Sequence, residues 1–201
     1  MKKLITVLLC IGFFAPLMAK GYVKPIDNFH KYQIVHERTT LPSSFDARNE
    51  GWTLAPRDQM IDGTCWSFSC TTTWQILCHK NNLTTGYLSP QLLSTCHEGF
   101  IVEHMTGGGN SRVANSMLAR LEGIVTEEAV PYDYKELDCP TYDKKDCPTY
   151  ILGWNYLPEY DDIAIKENIM EYGAVTASIH FTFSALNTVT GIYKYEGEEA
   201  P

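Results

Sequence analysis

A cysteine, an amide side chain and a glycine stand close together in the segment Gln59-Met60-Ile61-Asp62-Gly63-Thr64-Cys65-Trp66, and those residue types at that spacing suit acyl-transfer chemistry. Cys65 opens a stretch of helical periodicity, so the positive end of the helix dipole and the unbonded N–H groups of the first turn would favour its thiolate. The expectation is a thiol that is nucleophilic near neutral pH. Gly63 permits a tight turn just before it. Gln59, six residues upstream, can aim a side-chain N–H at the oxygen that becomes negative when a thiolate attacks an acyl carbon, and with the Cys65 N–H it makes a two-donor oxyanion hole. Most free cysteines are small buried hydrophobes, and that is the reading for Cys70 and Cys78. They lie on the buried stripe of the same helix, about 12 Å apart along its axis, beyond disulfide reach.

The element that carries Cys65 is expected over Cys65 to His79, with Trp66, Cys70, Trp74, Leu77 and Cys78 on one stripe and Phe68 and Ile76 on a second apolar face. That makes it a central, mostly buried helix. Ser89-Pro90 reads as an N-cap with proline at the first helical position, leading through Leu92 and Leu93 to Cys96. After Gly107-Gly108-Gly109, an amphipathic helix through Val113, Met117, Leu118 and Leu121 ends at Gly123 as its left-handed cap. Asp162 can cap a further helix, closed by Gly173. From Ala174 the period changes to two, with Val175, Ala177, Ile179 and Phe181 facing one way and Thr176, Ser178 and His180 the other; Gly191 to Tyr195 reads as a second strand. Helices first and strands later predict an α+β fold of two segregated lobes.

The chain has 201 residues and a net charge of −8, which disfavours nucleic-acid or anionic-membrane partners. Met1-Lys2-Lys3 followed by the apolar run Leu4 to Met18 has the build of a signal peptide with cleavage near Ala19, so residues 1–19 are read as an export signal, 20–40 as a short lead and 41–201 as the domain. Export permits disulfides. Gly107 to Gly109 lacks the preceding strand and the following Gly-Lys-Ser/Thr of a phosphate loop. Cys96, His97, His104, Cys139 and Cys147 lack the tight ligand spacing of a zinc site, so neither metal nor cofactor is implied. Asn82-Leu83-Thr84 is a glycosylation sequon, meaningful only in a eukaryotic secretory route.

The segment Gln59 to Ser69 resembles the nucleophile segment of papain-like cysteine peptidases, whose local signature runs Cys-Gly-Ser/Ala-Cys-Trp/Tyr. Gly63, Cys65 and Trp66 match, Thr64 takes the small-residue place, and Asp62 stands where the family has its first cysteine. Leu41-Pro42 to Arg48 is similar to the family's mature N-terminus, Leu88 to Cys96 to its next helix, and Gly123-Ile124 with Pro131-Tyr132 to a connection. The resemblance implies a two-lobe fold, helical in the N-terminal lobe and β-rich in a truncated second lobe. It implies Cys65 as nucleophile and Gln59 as oxyanion donor, and Gly108 and Gly109 as backbone partners of an extended substrate. Asn110, Ser111 and Ser178 would border a specificity pocket. It further implies a bridge from Cys96 to Cys139, and the loss of the other bridge of this lobe, since Asp62 and Thr106 replace both partners. The pairing of Cys147 stays open.

The activity implied is thiol-dependent cleavage of peptide bonds through a thioester on Cys65, with peptides or proteins as substrates, in an exported, secreted or periplasmic protein. The short lead resembles that of bacterial members with little pro-segment. In this family the histidine that shares the proton follows the cysteine by roughly 130–150 residues, and no histidine follows His180. The expectation is a chain that lacks the catalytic histidine and is inactive as given. The alternative is a secreted, non-catalytic binding protein that keeps the cleft; a transglutaminase-like acyltransferase fits Gln59 and the glycines less well.

Overall fold

The computed structural model describes residues 40–84, 86–97, 105, 107–120, 123–150, 153–158, 160–179, 181–189 and 192–194; the leader and nearly all of the lead lie outside them. The described chain is organised around α1 (Cys65–Lys80), whose buried residues are Trp66, Ser67, Cys70, Thr71, Trp74, Gln75, Ile76 and Cys78. A helix covered this widely must satisfy its polar members internally. The Ser67 hydroxyl donates to the Thr64 carbonyl at 2.9 Å and lies 2.8 Å from the Ser94 hydroxyl. Thr71 donates back to the Ser67 carbonyl at 2.9 Å, and Gln75 Oε1 accepts the Leu88 N–H at 3.1 Å.

Three helices pack on α1: α2 (Gln91–Thr95), α3 (Ser111–Ala119) and α4 (Asp162–Tyr172). The start of α2 is corrected by one residue: Pro90 is its N-cap and Gln91 its first residue, and the Ser89 hydroxyl before them accepts from the Gln91 N–H at 3.2 Å. Asn110 caps α3, its Oδ1 taking the Arg112 N–H at 3.0 Å and the Val113 N–H at 3.3 Å. Val113, Ala114 and Met117 face the core, beside Trp66, Trp74, Leu88, Leu92, Leu93, Ile124 and Val125. Lys80 ends α1 by donating to the Met170 and Glu171 carbonyls of α4 at 2.7 and 2.6 Å, with its ammonium 4.5 Å from the Trp52 ring centroid.

Three further expectations are corrected. Helix α3 closes at Ala119, with the Arg120 N–H on the Met117 carbonyl at 3.2 Å, so it ends before Gly123, which was expected as its cap. The cap of α4 is Asp161, whose Oδ1 accepts the Ala164 N–H at 3.0 Å. Either aspartate of the pair suits a cap, and the one with non-helical backbone takes the place. The strand expected over Val175 to Phe181 does not form: residues 174–179 have no ladder partner among the described residues. Alternation of side chains specifies an extended backbone, but a strand also requires a paired neighbour. The observed sheet is the antiparallel pair β1 (Leu186–Asn187) and β2 (Ile192–Tyr193), in register Leu186 with Tyr193 and Asn187 with Ile192. His180 lies outside the described residues.

Candidate active site

α1 begins without a side-chain cap. The N–H groups of Ser67 and Phe68 bond to the Thr64 carbonyl at 3.0 and 3.1 Å. Cys65 is exposed and free, whereas Cys70 and Cys78 are buried thiols. One expectation about the nucleophile is corrected here. Desolvation around the sulfur pushes the Cys65 thiol above its ordinary range, and the backbone of Trp66 and Cys65 at the helix start opposes that without cancelling it. Deep burial takes Cys70 up to about 12, so the same helix holds an exposed thiol and an inert one.

Gln59 sits in the loop before α1 with its Nε2 donating to the Asp62 carbonyl at 2.8 Å. An amide nitrogen carries two hydrogens, so this bond fixes the orientation of the side chain and leaves a second donor. Asp62 is partly buried: its carboxyl is raised by desolvation, and its Oδ2 has no hydrogen-bond partner among the described residues.

Gly108 and Gly109 lie beside this helix start. Gly108 has φ +72°, a left-handed conformation that glycine adopts without steric cost. Gly109 packs its backbone on the Trp66 indole so closely that an added Cβ would fall 2.3 Å from Cε2. Trp66 itself is 5% exposed and meets the buried His97 edge-on at 6.0 Å between centroids. The glycine pair is therefore placed against the residue that follows Cys65. Asn110 and Ser111 come next in the chain, and the Oδ1 of Asn110 is engaged in capping α3. Ser178 is exposed.

Cys96 and Cys139 form a disulfide with 4.8 Å between Cα atoms. That removes two of the five residues considered above as zinc ligands; His104 lies outside the described residues. Cys147 keeps its thiol, buried against Gly123. His79 Nε2 lies 3.3 Å from the Gly86 carbonyl, and His97 Nε2 lies 3.1 Å from that of Ser94.

Sequence reasoning missed a polar network behind the loop. Arg57 donates from Nη1 to Glu127 Oε2 at 2.8 Å and to the Leu88 carbonyl at 2.9 Å, with its guanidinium 5.2 Å from the Phe68 ring centroid and 5.0 Å from that of Tyr87. Glu127 Oε1 accepts the Tyr132 N–H at 2.9 Å. The Tyr132 hydroxyl reaches the Gln59 carbonyl at 3.0 Å and the Thr64 hydroxyl at 2.9 Å. These contacts join residues up to 73 apart in the chain, and no local pattern announces them.

An exposed cysteine at a helix start, with an amide side chain in the preceding loop, is an arrangement that can support nucleophilic chemistry. The comparisons make this specific: the model of the papain family cysteine protease matches residues 41–200, and the chain belongs to that family. It is 31% identical to mexicain of Jacaratia mexicana over 131 residues, 64% of this chain and 58% of the relative. It is 26% identical to cathepsin K of Mus musculus over 155 residues, 76% of this chain and 46% of the relative. The chain spans about half the length of these relatives. The structure of digestive procathepsin L2 proteinase from Tenebrio molitor larval midgut superposes with a TM-score of 0.66 at 23% identity, covering 76% of this chain and 50% of that one. At that identity the likeness speaks for the fold, which is papain-like.

Proposed function

We propose that this chain carries the nucleophile half of an exported, bacterial-type thiol peptidase. Cys65 Sγ attacks the scissile carbonyl, the Cys65 N–H and the second Gln59 Nε2 hydrogen receive the oxyanion, and the amine leaves with a proton to give a thioester that water then cleaves. An extended substrate lies along the Gly108–Gly109 backbone, a sequence-tolerant mode of recognition. The observation that carries this reading is the contrast within α1: the thiol at its first residue is exposed, while Cys70 and Cys78 are buried. The acidic charge fits peptide or protein substrates better than nucleic acid or a membrane surface.

The imidazole that would lower the thiol's pKa and return the proton is not supplied by His79 or His97, whose Nε2 atoms meet backbone carbonyls. A second reading, a secreted binding protein that keeps the cleft, is favoured by the raised pKa of Cys65. An assay of casein hydrolysis, run on the chain alone and on a longer version containing the family's histidine strand, separates the two. Hydrolysis by the longer version that is abolished in Cys65→Ala supports the peptidase. No hydrolysis by the longer version, with peptides still bound, supports the binding protein.

A further inference from the structure

The loop from Gln59 to Cys65 must hold two donors in fixed relation, one on a side chain at its start and one on the backbone at its end. Oxyanion donors contribute only when they are positioned before the charge develops. What fixes the loop is visible at both ends. A phenol has one proton to give. Since the Tyr132 hydroxyl donates to the Gln59 carbonyl at 3.0 Å, the Thr64 hydroxyl, 2.9 Å away, donates to the Tyr132 oxygen. Thr64 stands at the N-cap of α1, where a threonine hydroxyl ordinarily accepts from the first turn of its helix. Here it makes no such bond and is turned to Tyr132 instead. The peptide between Thr64 and Cys65 carries the backbone donor, and Gln59 carries the other.

Resting on the peptidase reading above, we propose that Tyr132 is a positioning residue for the oxyanion hole, its hydroxyl pinning both ends of the loop that presents the two donors. The residue is itself held through its ring and through the backbone. The ring meets Phe68 edge-on at 4.7 Å, the backbone N–H of Tyr132 is taken by Glu127, and the next backbone N–H, of Asp133, goes to the buried Gln91 Oε1 at 3.1 Å. Glu127 also grips Arg57 at 2.8 Å, two residues before Gln59, so the loop is anchored upstream as well. Burial, with the nearby Asp62, Asp133 and Asp58 carboxylates, raises the Tyr132 pKa against the opposing Thr64 bond. The hydroxyl thus keeps the proton that it gives to Gln59.

The test uses a peptide aldehyde, acetyl-phenylalanyl-glycinal, on the 201-residue protein. The Cys65 S–H adds across the aldehyde C=O: an S–C bond forms, the C=O π bond breaks, and the thiol proton ends on the oxygen facing the two donors. Affinity is read from protection of Cys65 against iodoacetamide, and the alkylation rate of the unliganded protein measures the thiol alone. Tyr132→Phe keeps the ring and its Phe68 contact. It is expected to weaken aldehyde binding about tenfold, the scale of one hydrogen bond, while the unliganded alkylation rate changes less than about twofold. Thr64→Val should behave the same way, and Thr64→Ser should retain affinity. In a Gln59→Ala background the cost of Tyr132→Phe should shrink to about threefold or less, because one positioned donor is already gone. Unchanged affinity in Tyr132→Phe, a parallel fall in affinity and alkylation, or a full tenfold cost persisting without Gln59 overturns the assignment. Failure of the unmutated protein to bind the aldehyde, with Cys65 normally alkylated, instead removes the acyl-acceptor role of Cys65 and this proposal with it.

Discussion

At the scale of single residues, the central quantity is the ionisation of Cys65. Only the thiolate reacts with an alkylating agent, so the rate follows the ionised fraction and its inflection reports the pKa. Desolvation moves this pKa upward, which lowers the thiolate fraction at neutral pH. Iodoacetamide labelling of the chain across pH should therefore inflect above the value of an unstructured cysteine peptide, about 8.5. An inflection below the peptide's would mean that the first-turn N–H groups outweigh desolvation. The sequence pointed to Cys65 and Gln59 because their identities and spacing are local. The direction of the shift was not readable there, because desolvation depends on which walls the fold brings around the sulfur. Asp62 shows the same limit: the sequence marks a departure from the family signature, and only the structure shows a buried carboxyl oxygen without a hydrogen-bond partner among the described residues.

At the scale of elements, the helices were the most readable part. Trp66, Cys70 and Trp74 repeat with helical period and α1 is buried along that stripe; Gly173 closes α4 with φ +94°. The reading of Asp162 as the cap of α4 was one residue off, since Asp161 has the non-helical backbone and takes the place. The stretch from Val175 failed as a strand because pairing is a non-local property. Packing between elements is equally non-local, and the contact of Gly109 with the Trp66 indole is its sharpest instance. A methyl group there would stand 2.3 Å from Cε2, so Gly109→Ala forces either the ledge or the first turn of α1 to move. Overpacking of this kind typically costs about 1–3 kcal/mol. Urea unfolding of Gly109→Ala should show a loss in that range, and an unchanged midpoint would mean that the ledge yields freely. If the ledge also serves the substrate, peptide binding should fall further than stability alone accounts for.

At the scale of the molecule, what holds the lobe around the site is the closure of long loops. Arg57 to Glu127 and Gln59 to Tyr132 reach 70 and 73 residues along the chain, and the Cys96–Cys139 bridge closes a separation of 43. Inside that loop lie Gly108, Gly109, α3, Glu127 and Tyr132, so the bridge constrains the segment that supplies both the ledge and the loop anchor. Cross-linking chiefly restricts the unfolded chain, and a loop of this length gives about 4 kcal/mol in the entropy model, within the 2–4 kcal/mol usually measured. The hydrogen bonds reaching the Gln59 loop add smaller, mutually dependent contributions. Replacing both cysteines in Cys96→Ala/Cys139→Ala should accordingly lower the unfolding free energy by about 2–4 kcal/mol. Urea titrations of the oxidised parent, the dithiothreitol-reduced parent and the double variant check this, with the last two expected to coincide. Equal midpoints for all three would show that the bridge adds nothing to the fold. Because the bridge encloses Tyr132 but not Cys65, its removal should also weaken peptide-aldehyde binding before the protein unfolds, while iodoacetamide still reaches Cys65 at close to its usual rate.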